Sequence, residues 1–196
     1  MGNFYTQTAK YRLKIDYFLK FIEKEKVKTD KKLFDGMCKS GCKNYNKKYS
    51  CPPFAPSFEK LAEGYDGLFV ILFTCNLSQI ETSEYNKIRV ANSVLKSRME
   101  KLLRKMGRKR LGTGACRLCK ICNYVLGKQC KYPDKLLYSL EAVGIDCNWL
   151  STSLFSKPLL WYKNKKAPEY GAVVAALFCD KDEVASLEKE VEKTIR

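Results

Sequence analysis

Seven cysteines in two short segments are the residues of this chain best suited to chemistry. Cys116, Cys119, Cys122 and Cys130 lie in GACRLCKICNYVLGKQCKYP with the spacing C-x2-C-x2-C-x7-C, and Cys38, Cys42 and Cys51 lie in GMCKSGCKNYNKKYSCPPFAP with the spacing C-x3-C-x8-C-P. Thiolates two residues apart on a tight loop can each reach a different iron of a cubane. A fourth from further along closes the last corner, as in the C-x2-C-x2-C-x3-C-P run of bacterial ferredoxins. The longer final gap here, and Lys131-Tyr132 before Pro133, depart from that run. In two-cluster ferredoxins the fourth cysteine serves the other cluster, so Cys130 is open to either group. Structural zinc takes two C-x2–4-C knuckles across a longer spacer, and a third closely spaced thiolate adds little to a tetrahedral site. The spacing therefore favours 4Fe-4S clusters, one or two, with zinc as the alternative.

The first group offers three thiolates and no neighbouring fourth. A cubane held there keeps one iron that is capped by a distant group or left open, and an open iron is a Lewis acid able to take a substrate oxygen, sulfur or amine. Chemistry is thus expected at the first loop and electron passage at the second. The distant cysteines are Cys75, Cys147 and Cys179. Cys75 and Cys179 end apolar runs and read as small core residues, and Cys147 reads as structural. Arg117, inside the second run, is placed to donate to a cofactor's sulfides or to offset its charge.

Composition bounds the rest. The chain has 196 residues with 10 cysteines and no histidine. Cys2His2 fingers, Rieske centres, His-ligated haem and imidazole bases are all excluded. Apolar residues at 45% are ordinary for a packed core. The N-terminal segment lacks an apolar signal region, and the longest apolar run, Gly67 to Cys75, is of strand length. Met1-Gly2 with Thr6 matches a myristoylation pattern only loosely. A cytoplasmic protein with reduced thiols and no membrane association is expected. No P-loop or dinucleotide fingerprint is present.

The elements that must position the cysteines follow from periodicity. Tyr11, Ile15, Phe18 and Ile22 recur at helical spacing and predict an N-terminal helix over 9–28. Two cysteine loops are expected at 35–56 and 112–133. Gly67–Cys75 and Tyr170–Cys179 read as buried strands by length and by β-branched and aromatic content. Ser57 opens a short helical turn. Thr82 or Ser83 caps a helix running to Met106 with Gly107 as its stop, and Asp182–Ile195 reads as a closing helix. A helix over 134–143 ending at Gly144 and a short edge strand over 158–162 complete the expectation. The fold class is α/β or α+β: a small mixed sheet flanked by helices, in a single domain over 1–196, with two cysteine-rich loops that bind metal.

The cysteine pattern, together with Ser139-Leu-Glu-Ala-Val-Gly-Ile-Asp146, resembles the DUF2284 family of predicted metal-binding proteins. That family's pattern runs C-x3-C, C-P-P, C-R-x-C-x2-C, a later Cys with Pro, and S-x-E-A-x-G-I-D. The matching positions here are Cys38, Cys42, Cys51-Pro52-Pro53, Cys116-Arg117-Leu118-Cys119, Cys122, Cys130 with Pro133, and Ser139 to Asp146. The resemblance implies metal binding over about residues 35 to 178 and supplies no reaction. Glu141 reads either as a proton donor beside a cluster or as a residue that caps or neutralises a helix.

The formal charge is +16. Lys96 to Arg110 holds eight basic residues against Glu100, and Lys163, Lys165 and Lys166 form a second concentration. Three readings are open: a solvated helix face, a docking face for an acidic redox protein, and a nucleic-acid footprint, the last without an aromatic motif to support it.

Overall fold

The computed structural model describes residues 1–195 of the 196. In chain order its elements are β1 (Gly2–Gln7), β2 (Arg12–Glu23), α1 (Lys31–Gly41), α2 (Phe58–Leu61), β3 (Gly67–Asn76), α3 (Glu84–Lys105), β4 (Arg110–Gly112), β5 (Tyr138–Ser139), α4 (Cys147–Phe155), β6 (Tyr170–Cys179) and α5 (Val184–Ile195). The strands form one six-stranded sheet in the order β1-β2-β3-β6-β4-β5. All neighbours are antiparallel except the short β4–β5 pair. The mixed sheet flanked by helices agrees with the expected class.

The central strands are buried on both faces, which explains their continuous apolar runs. Phe69, Ile71, Phe73 and Cys75 of β3, with Val173, Ala175, Leu177 and Cys179 of β6, pack against Leu95, Met99 and Leu102 of α3 and Leu187 and Val191 of α5. The alternate residues Leu68, Val70, Leu72, Val174, Ala176 and Phe178 face a second core built from Phe58 of α2, Leu150 of α4, and Leu140, Val143 and Ile145. Helix α3 starts after Ser83 and ends at Met106, where Gly107 turns at φ +62°.

Four expected elements differ. The cysteine loop expected over 35–56 begins inside helix α1, which carries Cys38. Residues 9–28 do not form a helix: 12–23 are β2, paired with β1 and β3. The odd-numbered row Leu13, Ile15, Tyr17, Leu19 and Phe21 faces the α3 side, while Phe18 and Ile22 face the other core. A strand covered on both sides carries apolar residues at mixed spacings, and here these fell at helical intervals. Residues 134–143 are also not a helix. They are a turn at Pro133–Lys135, strand β5, and a 3-10 turn at Glu141–Val143 that ends at Gly144. Residues 158–162 form no strand and leave Trp161 76% exposed.

Candidate metal centre

The first cysteine group is set by α1. Asp30 caps its N-terminus by accepting the Leu33 N–H at 2.8 Å, and Lys31 and Asp35 pair one turn apart. The C-x3-C spacing is one helical turn: Cys42 closes the helix by donating its N–H to the Cys38 carbonyl at 3.0 Å. Helix α1 buries none of its side chains, so its position depends on its first residues. The Asp30 N–H donates to the Gly144 carbonyl at 2.7 Å, and Thr29 bridges Ile145. Gly144 turns at φ +95°, and a Cβ there would stand 2.8 Å from Lys31 Cα. Only glycine permits both the turn and that approach.

The segment that carries the Ser139-to-Asp146 signature is therefore the seat of α1. Ser139 Oγ accepts the Ala142 N–H at 3.2 Å and Asp146 caps α4 by accepting the Trp149 N–H at 2.9 Å. Asp146 is the N-cap of α4, and Glu141 stands beside Cys147 in that helix's first turn while also lining the cleft beside Cys38 and Cys42, a placement compatible with both readings of Glu141.

The second group lies in the loop between β4 and β5, built of bends and a 3-10 turn at Asn123–Leu126 that ends at Gly127 in the left-handed region. Cys116, Cys119, Cys122 and Cys130 line one narrow recess of about 20 Å³ together with Ser50. Cys130 thus stands with its three neighbours in sequence. Tyr49, Phe54 and Tyr124 form an aromatic cluster at this junction, with the Phe54 and Tyr124 rings 4.3 Å apart. Tyr49 Oη donates to the Lys128 carbonyl and Tyr124 Oη to Asn46 Oδ1, both at 3.0 Å.

The two groups meet at Ser50. Its hydroxyl accepts the Cys116 N–H at 3.0 Å and lies 3.8 Å from Cys51 Sγ. Lys48 donates to the Cys116 carbonyl at 2.9 Å. Residues 66 positions apart are joined here, the one next to a ligand candidate and the other through the backbone of a second candidate.

Cys38, Cys42 and Cys51 open on a cleft of about 740 Å³ whose charged walls include Lys43, Lys48, Lys96, Arg117 and Glu141. Burial, then the neighbouring Cys42 and Cys51, pushes the Cys38 thiol up from its ordinary value; burial also raises Cys51. Such thiols resist ionisation alone, and a metal cation reverses that cost. Cys75 and Cys179 are 1% and 0% exposed in the α3-side core, and Cys147 is buried in the other.

Part of the basic stripe is engaged internally. Arg104 pairs with Glu100 and Arg108 with Glu183, and Lys109 Nζ donates to the Leu61 carbonyl. Lys96 is half-buried on the cleft wall. Sequence spacing pointed to neither Lys96 nor Ser50: Lys96 was one cation of eight, and Ser50 is marked only by preceding Cys51-Pro52.

Among the described residues, no three or more His, Cys, Asp or Glu side chains converge on a single-ion site. The donor set nonetheless suits a thiophilic metal group: four thiols share one recess, three share an adjoining cleft, and hydrogen bonds between side chains of the first loop and the backbone of the second hold the loops together. No helix among the described residues is long and apolar enough to cross a membrane.

The chain matches the family model described as predicted metal-binding protein, DUF2284, over residues 20–177, and it belongs to that family. No curated protein and no solved structure shows a significant match to it.

Proposed function

We propose that this member of a predicted metal-binding family carries two 4Fe-4S clusters and works in electron transfer or a cluster-dependent redox reaction. The observation that supports it best is the adjacency of the two thiol groups, joined through Ser50. Cys116, Cys119, Cys122 and Cys130 would hold one cluster, and Cys38, Cys42 and Cys51 the other. A fully thiolate-ligated cluster supplies one-electron capacity, and one with three protein ligands also supplies an iron open to substrate.

The protein's own residues divide the work. Ser50 and Lys48 fix the separation of the two groups. Arg117, exposed in the second cysteine run, would donate to the bound group and offset its charge. Glu141 lies beside Cys38, placed to give or take a proton at the cleft. Lys120, Lys128 and Lys131 flank the exposed Leu118, Ile121 and Val125 on the second loop, a surface suited to an acidic redox protein with an apolar contact patch.

Anaerobic purification with iron, acid-labile sulfide and zinc analysis tests this reading. About eight irons and a broad absorption near ~400 nm are expected for two cubanes. A colourless protein with stoichiometric zinc would overturn it and favour a zinc-stabilised basic module that binds nucleic acid. Iron that transfers readily to an acceptor apoprotein would favour a cluster carrier instead.

A further inference from the structure

We infer that the cleft over Cys38, Cys42 and Cys51 binds a small oxyanion, a molecule bearing a carboxylate or phosphate group, held by Lys96 and Arg117 with Lys43 and Lys48 beside them. The inference deepens the proposed function by naming the ligand class of the first thiol group, and it rests on that reading for the role of the thiols alone.

Three observations carry it. The cleft, at about 740 Å³, has the volume of a metabolite site, whereas the recess at the second group measures about 20 Å³. Among the described residues, Lys43, Lys96 and Arg117 form no ion pair, and Lys48 donates to the Cys116 carbonyl at 2.9 Å. These cations come from separate segments: Lys96 from the middle of α3, Lys43 and Lys48 from the loop after α1, and Arg117 from the second cysteine run. Convergence of this kind is not the solvated face of one helix.

The charge is also more than a cluster needs. A cubane with three thiolates carries a single net negative charge in its usual oxidised state, and Glu141 adds one more. The four cations exceed that, leaving a positive excess around the cleft, where Lys48 and Lys96 are half-buried. A carboxylate or phosphate bound there balances the excess and brings its own substituents to the thiol group. Arg117 offers a planar fork suited to two oxygens, and Lys96 a point charge from α3.

The test uses the full chain as purified, with its iron and zinc content measured first. Titration calorimetry with inorganic phosphate and with succinate, at constant ionic strength set by chloride, reads anion binding directly. Saturable binding of at least one of the two anions is expected at about 1 mM or tighter. Lys96→Gln and Arg117→Gln should each weaken it about tenfold, the effect of removing one charge-assisted contact. Lys101→Gln, on the same helix but outside the cleft, should leave it unchanged. Which anion binds more tightly separates phosphate from carboxylate recognition. Absence of saturable binding, or equal weakening by Lys101→Gln and Lys96→Gln, overturns the inference. Protein that carries no iron after anaerobic purification yet binds anion through Lys96 overturns the cluster reading and leaves this one standing. Metal-loaded protein indifferent to both anions does the reverse.

Discussion

Ser50 joins Cys51 to Cys116: its buried hydroxyl accepts the Cys116 N–H at 3.0 Å while lying 3.8 Å from Cys51 Sγ. The two cysteine segments share few other direct ties, among them Lys48 on the Cys116 carbonyl and the Tyr49–Phe54–Tyr124 aromatic cluster. Removing the hydroxyl leaves a half-buried N–H without its acceptor. Ser50→Ala should therefore cost about 1 kcal/mol, lowering Tm by about 3 °C in a chain of this size. Because the serine touches both groups, metal retention should fall at both. Thermal unfolding and metal analysis of the variant check this, and an unchanged Tm would show that Ser50 bears no such role.

Gly144 is the second joint. At φ +95° with Lys31 Cα close to its missing side chain, it lets the Glu141–Val143 turn seat the start of α1. Gly144→Ala combines an unfavourable backbone with a clash against main chain, and should destabilise the fold by about 2–4 kcal/mol. Gly127→Ala, also at positive φ but facing open space, should cost only about 1 kcal/mol. The displaced α1 carries Cys38, so Gly144→Ala should lower metal bound at the first group and spare the second. Chemical denaturation of the two variants, with metal counts on each, makes the comparison.

These joints mark the limit of what spacing shows. The runs Gly67–Cys75 and Tyr170–Cys179 were legible because strands buried on both faces must be continuously apolar, and α3 and α5 because caps and a Gly stop bounded a 3.6-residue stripe. β2 was not: its period-2 row from Leu13 to Phe21 coexists with Phe18 and Ile22 on the opposite face, and the mixture imitates a helix. α1 was invisible for the opposite reason. It has no buried face, contains Gly36, and stands on the Asp30 cap, the Lys31–Asp35 pair and its seat on Gly144. At the site, the grouping of four thiols and three was legible from covalent spacing. The cations of the cleft were not, since Lys96 arrives from α3 through packing that no local pattern encodes.

The three remaining cysteines should behave differently from the seven. Burial pushes the Cys75 and Cys179 thiols up to about 11, and raises Cys147 well above its ordinary value. Alkylation requires the thiolate, so a raised value suppresses reaction at neutral pH and restores it only as pH climbs toward the shifted value. Iodoacetamide at about pH 8 should label exposed Cys42 in the folded, reduced, metal-free chain well before these three. They should become reactive together on unfolding. Time-resolved mass spectrometry of the labelled peptides reads this out, and Cys147 labelling as fast as Cys42 would contradict the buried placement.

Metal content should divide along the same boundary. Cys119 lines the recess of the second group and touches none of the cleft over the first. Cys119→Ser should therefore remove about half of the bound iron if each group holds one cubane. Cys38→Ser should remove the other half, and the double variant nearly all. Cys179→Ser places a hydroxyl in a fully buried core position beside α5, so it should lower stability by about 1–3 kcal/mol without changing the metal count. Iron and sulfide analysis on the four proteins, alongside unfolding curves, separates ligand from core residue. Loss of all metal from either single ligand variant would mean one shared centre spanning Cys51 and Cys116 in place of two adjacent ones.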